Sequence, residues 1–146
     1  MNINTDNRYI PILWEARFET GISEMDKHHK VLVSILNEAG MVIAANTGKE
    51  KLLDISRHLL EYAHYHFDQE EQLMQQYDYY EYAAEEAEQH KKEHAYFSEW
   101  IVTFREQLRS GDPISPHVLL NFVHQWLFEH IMCIDKKLGA HIAKHK

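Results

Sequence analysis

One cysteine, Cys133, leaves no partner for an intramolecular disulfide and fits a reducing compartment. Only 3 prolines and 5 glycines punctuate the 146 residues, which fits a compact helical globule. No apolar stretch approaches the roughly 20 residues of a membrane span. The opening run MNINTDNRYIPILWEARF has no basic region followed by an apolar one, so no secretory leader is expected. A dense Lys/Arg cluster is missing as well. With 15 basic against 23 acidic residues the net charge is −8, which argues against a nucleic-acid or anionic-membrane surface. A soluble, cytoplasmic protein is the expectation.

What the chain has in excess is histidine, 12 in all, within a sequence that is 45% hydrophobic. Its length suits one domain with a single substantial core. The sequence predicts an all-α fold over 1–146: an N-terminal arm at 1–21, a four-helix bundle at 22–140 and a short tail at 141–146. Pro11, Trp14 and Phe18 are the expected anchors of the arm. The first helix follows Gly21 with Ser23 as N-cap and fades before Asn46-Thr47-Gly48. The second runs from about Glu50 to Tyr77. An aromatic link, YDYYEY, leads to the third, which ends near Arg109-Ser110-Gly111. Ser115-Pro116 opens the fourth, and Gly139 is expected to stop it near Leu138.

Each helix carries an apolar seam at alternating steps of three and four. The seams read Ile22, Met25, His29, Leu32, Leu36; then Leu52, Ile55, Leu59, Tyr62, His66, Glu70, Leu73. The third reads Ala83, Ala87, His90, His94, Phe97, Ile101, Phe104, Leu108, and the fourth Leu119, Val123, Trp126, His130, Cys133, with Leu138 close by. Short connections make antiparallel neighbours and an up-down-up-down bundle the economical arrangement. Every seam is interrupted by at least one histidine, well inside its helix, where a bundle would normally place Leu or Ile.

A buried imidazole or carboxylate is costly unless something satisfies it. Residues four apart on a helix are neighbours, so His66 with Glu70, and His90 with His94, converge on nearby points. Asp135 lies five residues past His130, turned aside but able to point partly inward. Together His29, His66, Glu70, His90, His94, His130 and Asp135 form a candidate metal-ligand set. Seven donors are too many for one tetrahedral zinc, and the lack of thiolates argues against an iron–sulfur cluster. Two ions sharing carboxylates would use them all. Mixed imidazole and carboxylate donors suit Fe or Mn, with Zn compatible, and spacing alone does not choose. His28, His58, His64, His117, His124, His141 and His145 lie off the seams or near helix ends, and solvent-facing or boundary roles are expected for them. Cys133 is expected to be a small core residue.

From Trp14 to Asp135 the chain resembles the hemerythrins, by length and form the stand-alone bacterial members. The segments that carry the likeness are Trp14 with TGISEMDKHHKVL, then HFDQEEQLM, HKKEH and WLFEHIMCID. The resemblance implies two non-haem irons. His90, His94 and His130 would bind one, His29 and His66 the other, with Glu70, Asp135 and a hydroxo or oxo group bridging them. It implies reversible dioxygen binding at an open position on the two-histidine iron, for storage, delivery or sensing, rather than an enzyme. Reversal would need a dry wall, for which Met25, Leu32, Phe67, Phe97, Ile101, Trp126, Leu127 and Ile131 are candidates.

A di-iron enzyme, or a sensor acting on peroxide, nitric oxide or iron at the same site, is the alternative. Ferritin-like di-iron enzymes use two Glu-x-x-His motifs. This chain has one, Glu61 to His64, with His64 off the seam. Binding is therefore the preferred reading. An oxygen-consuming enzyme or a signalling protein is the kind of partner such a role would require.

Overall fold

A computed structural model describes residues 9–146, so the first eight residues of the predicted arm lie outside the described part. The chain is an antiparallel, up-down-up-down helical bundle with the remaining arm laid along it. Helix α1 spans Ser23–Ala44 and α2 spans Lys49–Gln76. A single turn, α3 (Tyr79–Tyr82), leads into α4 (Ala84–Ser110). Helix α5 (His117–Glu129) passes through a π-helical segment, His130–Asp135, into α6 (Lys136–His145). The seam residues fill two apolar clusters. The larger one includes Leu36, Leu59, Phe104 and Leu119; the smaller holds Ile22, Met25, Met74, Leu138 and Ile142. Buried polar residues separate the two.

The ends of the elements follow local chemistry, with some differences from expectation. Gly111, at φ +83°, lets the Gly111 and Asp112 N–H groups cap α4 at the Leu108 and Gln107 carbonyls. Ser23 is not the N-cap of α1; Ile22 holds that position without a side-chain capping bond. The acceptor that closes this end is Asp26, whose Oδ1 receives the Thr20 N–H at 2.7 Å and the Thr20 hydroxyl at 2.8 Å. A carboxylate in the first turn also suits the positive end of the helix dipole.

The arm is seated differently from the sequence reading. Phe18 is buried and Trp14 half-buried, as anchors should be, but Pro11 is exposed. Asn37 provides the missing hold. Its Oδ1 accepts the Ile12 N–H at 2.8 Å and its Nδ2 donates to the Ile12 carbonyl at 2.9 Å, so one amide satisfies both backbone groups of an extended residue. Tyr9 also donates its hydroxyl to Asn37 Oδ1, and its ring lies against Gly40, where a side chain would collide with it.

Gly139 repeats this logic rather than stopping the fourth helix. It lies inside α6, and a Cβ there would stand 2.6 Å from the Thr20 carbonyl oxygen. The helix continues to His145 and buries Ile142, so residues expected to form a tail are part of the bundle. Gly139→Ala is expected to destabilise the fold by about 1–3 kcal/mol, because backbone rather than a flexible side chain must yield. Urea unfolding would show this as a lowered midpoint with an unchanged slope.

Candidate metal centre

Residues from three long helices and the π segment meet between the two apolar clusters. Helix α1 supplies His29, α2 supplies His66 and Glu70, α4 supplies His90 and His94, and the π segment supplies His130 and Asp135. All seven are buried, none more than 3% exposed. Steps of four on α2 and α4 bring their pairs onto one face, as the sequence reading requires.

Asp135 arrives by a route the sequence does not advertise. In a regular α-helix, residues five apart point about 140° away from each other. The π segment closes i→i+5 turns, which puts Asp135 under His130 instead. His130 Nε2 then lies 3.1 Å from Asp135 Oδ1. The same slip turns Cys133 out of the seam: it is exposed, and the expectation of a small core residue fails.

The two carboxylates divide the imidazoles into two compartments. Glu70 Oε1 faces His90 Nε2 at 3.1 Å and His94 Nε2 at 3.0 Å, while its Oε2 faces His66 Nε2 at 2.9 Å and His29 Nε2 at 3.3 Å. Asp135 does likewise. Its Oδ1 faces His90 and His130, both at 3.1 Å, and its Oδ2 faces His29 at 2.8 Å. Each carboxylate thus presents one oxygen to each compartment. The ligand atoms of Glu70, His90, His94 and His130 lie within 4.8 Å of one another, as do those of His29, His66, Glu70 and Asp135.

Several of these atoms are close without being hydrogen-bonded. His130 Nε2 and both oxygens of Asp135 are fully buried and lack a hydrogen-bond partner. Orphaned buried polar atoms are rare and expensive, and a cation between them would satisfy all three. The donor set therefore fits metal ions.

Electrostatics point the same way. Burial pushes Glu70 up, but His66, His130 and His29 outweigh it and hold the carboxyl well below its ordinary range. Burial and the charge of Glu70 push Asp135 up, yet His130 and His29 bring it well below as well. Among the imidazoles, burial pulls His29 down, but Asp135 and Glu70 raise it to about 9. His90 is raised and His130 raised strongly, against the same burial and by the same carboxylates. His66 goes the other way because its burial prevails over Glu70. Three of the five imidazoles thus favour their charged form beside the two carboxylates.

A pH dependence follows for the metal-free chain. The stability that His29 contributes is complete below its ordinary 6.5 and is lost as the pH rises through about 9, with His90 and His130 acting in the same sense. The depressed carboxylates contribute above their ordinary range and lose that contribution as the pH falls. His66 opposes the other histidines. The metal-free protein is expected to melt lower at pH 9 than at pH 6. Metal-loaded protein should lack that fall, because ligation needs neutral imidazoles.

A second layer orients the first. His94 directs Nδ1 to Glu71 Oε2 at 2.9 Å, and His130 directs Nδ1 to Glu93 Oε1 at 3.2 Å, so each carboxylate fixes a tautomer whose Nε2 faces inward. Both carboxyls are pulled below their ordinary range, first by the hydrogen bond from their histidine. Phe67 stacks on His94 at 3.9 Å and Trp126 on His130 at 4.4 Å, which locks the ring planes. The sequence reading did not identify Glu71 or Glu93. Their place beside seam ligands, in QEEQ and KEH, was the available signal.

Among the off-seam histidines, His58, His64, His117, His124 and His145 are exposed, as expected. His141 is half-buried and bonds the Tyr77 carbonyl at 2.7 Å. His28, also half-buried, meets His66.

Fold and donor set together define a class, the helical bundles that carry a two-compartment cation site in the core. The family model described as "Hemerythrin HHE cation binding domain" matches residues 20–142, and the chain belongs to that family. It is 29% identical over 122 residues to the bacteriohemerythrin of Pseudomonas paraeruginosa (strain DSM 24068 / PA7), covering 82% of this chain and 74% of the relative. The bacteriohemerythrin of Clostridium acetobutylicum is 29% identical over 130 residues, 86% of this chain and 96% of the relative. A solved wild-type hemerythrin superposes with a TM-score of 0.79 at 26% identity, covering 90% of this chain and 98% of that one. Both relatives carry the name bacteriohemerythrin. No helix among the described residues is long and apolar enough to cross a membrane.

Proposed function

We propose that this protein binds dioxygen reversibly at a pair of non-haem irons, in the cytoplasm, for storage, delivery or sensing. His90, His94 and His130 would hold one iron and His29 and His66 the other, with Glu70 and Asp135 offering an oxygen to each. The observation that carries this reading is the two-faced placement of the carboxylates, each with one oxygen toward either histidine group. Membership of the hemerythrin family and the names of its relatives support iron and oxygen.

A ferrous pair bound there supplies two electrons and a coordination position for dioxygen. The chain's own residues make the binding reversible. Two histidine donors on one side against three on the other leave that side short of a ligand. All eight candidate wall residues are buried, and the Phe67 ring lies 3.9 Å from that of His94 and 6.0 Å from that of His66, with Phe97 and Trp126 packed against it. Such a wall excludes water and external protons, which would otherwise displace the bound gas in reduced form.

The test is an oxygen-electrode measurement on reduced, iron-loaded protein. Uptake of one dioxygen per two irons, then no further consumption when excess reductant is present, is the expected result. Sustained consumption, or hydrogen peroxide released in proportion to oxygen, would favour a di-iron enzyme instead.

A further inference from the structure

The inward imidazoles are not supported alike. His94 and His130 rest on carboxylates, whereas His66 turns its Nδ1 toward another imidazole, His28 Nδ1, at 3.1 Å. The two rings stand edge to face, 5.2 Å apart at 89°. His28 sits on the half-buried rim of α1, its ring 5.2 Å from that of the exposed Tyr65 and 6.1 Å from Tyr62. His29, the other donor of this compartment, has a buried Nδ1 with no partner, as has His90 in the three-histidine compartment.

Two ring nitrogens at this distance share one proton, and the site decides which carries it. His66 Nε2 faces Glu70 Oε2 inside the cluster. To offer its lone pair to a cation there, the neutral ring must keep its proton on Nδ1. His28 Nδ1 must then accept that proton's hydrogen bond. An imidazole in this role orients its neighbour but adds no negative charge, whereas Glu71 and Glu93 do both.

We propose that His28 is a positioning residue: it accepts the Nδ1–H of His66, fixes that ring's tautomer and plane, and leaves the His29/His66 compartment as the half of the site that releases its metal first. The proposal rests on the reading of His66 as a ligand given above. It concerns a residue outside that ligand set, and it orders the two ions by how firmly the chain holds them.

Cobalt(II) titrated into the metal-free full-length chain, then challenged with a chelator, tests this through the cobalt absorption. Wild type is expected to hold two ions and release them in two phases of equal amplitude. His28→Leu, which removes the acceptor, should speed the fast phase by about tenfold or more and leave the slow phase unchanged. His28→Asn places an amide oxygen near the position of Nδ1 and should restore the wild-type rate. His28→Glu should slow the fast phase, and it carries the test should the Leu variant not fold. A single phase in wild type, equal acceleration of both phases in His28→Leu, an Asn variant no better than Leu, or a fast phase indifferent to Leu or Glu would each overturn the proposal. Fewer than two cobalt ions in wild type would overturn the parent reading too, while two ions released identically by wild type and His28→Leu overturn the role of His28 alone.

Discussion

Stripping the metal is expected to lower the melting temperature by about 10 °C or more. A ligand present at a thousand times its Kd stabilises the state it binds by about 4 kcal/mol, and in a chain of this size each kcal/mol moves the transition by a few degrees. The physical reason is the buried cluster. Five imidazoles and two carboxylates sit at most 3% exposed among apolar side chains. Without cations the two carboxylates depend on protonated histidines for neutralisation, and His130 Nε2 and both Asp135 oxygens have no hydrogen-bond partner. Differential scanning calorimetry of chelated and reconstituted protein reads the difference. Equal melting temperatures would mean that the cluster is a self-sufficient polar network.

Glu70→Ala should abolish the paired centre while leaving the helices formed. Glu70 belongs to both candidate ligand groups, and it touches His29, His66, His90 and His94. Removing it takes one oxygen from each ion and leaves four imidazoles facing a gap. Loss of an outer partner such as Glu71 typically weakens a metal site about 10- to 100-fold, and loss of the shared bridge should exceed that. Iron content is expected to fall from two per chain to one or fewer, with far-ultraviolet dichroism largely retained. A variant that kept two irons and the original optical spectrum would contradict the assignment of Glu70.

The bundle was legible because four amphipathic seams with short connections leave few alternatives, and the site because those seams are broken by histidine at matching depths. Asp135 was harder to place. Its inward direction depends on a π turn that HIMCID does not announce, although the later seam carries a trace of it: Lys137 stands where an unbroken α-helix would want an apolar residue, and Leu138 and Ile142 continue from Asp135 instead. That one-residue slip also explains the error over Cys133. Gly139 misled for another reason. A glycine near a helix end suggests a stop, but here it makes room for the backbone of Thr20, a contact between residues far apart in the chain. The seat of Ile12 on Asn37, and the Glu71, Glu93 and His28 contacts, likewise depend on which side chains meet across elements, and no periodicity within one helix encodes them.

Reversible oxygen binding at an iron pair would leave an optical signature. Its most direct test is an optical cycle on iron-quantified protein, reduced without air, exposed to oxygen and returned to argon. The expected result is a visible charge-transfer band that rises with oxygen and disappears under argon, repeatedly, at about two irons per chain, the capacity of one five-donor and one four-donor compartment. A band that decays promptly to a stable ferric spectrum, with nothing recovered under argon, would contradict it.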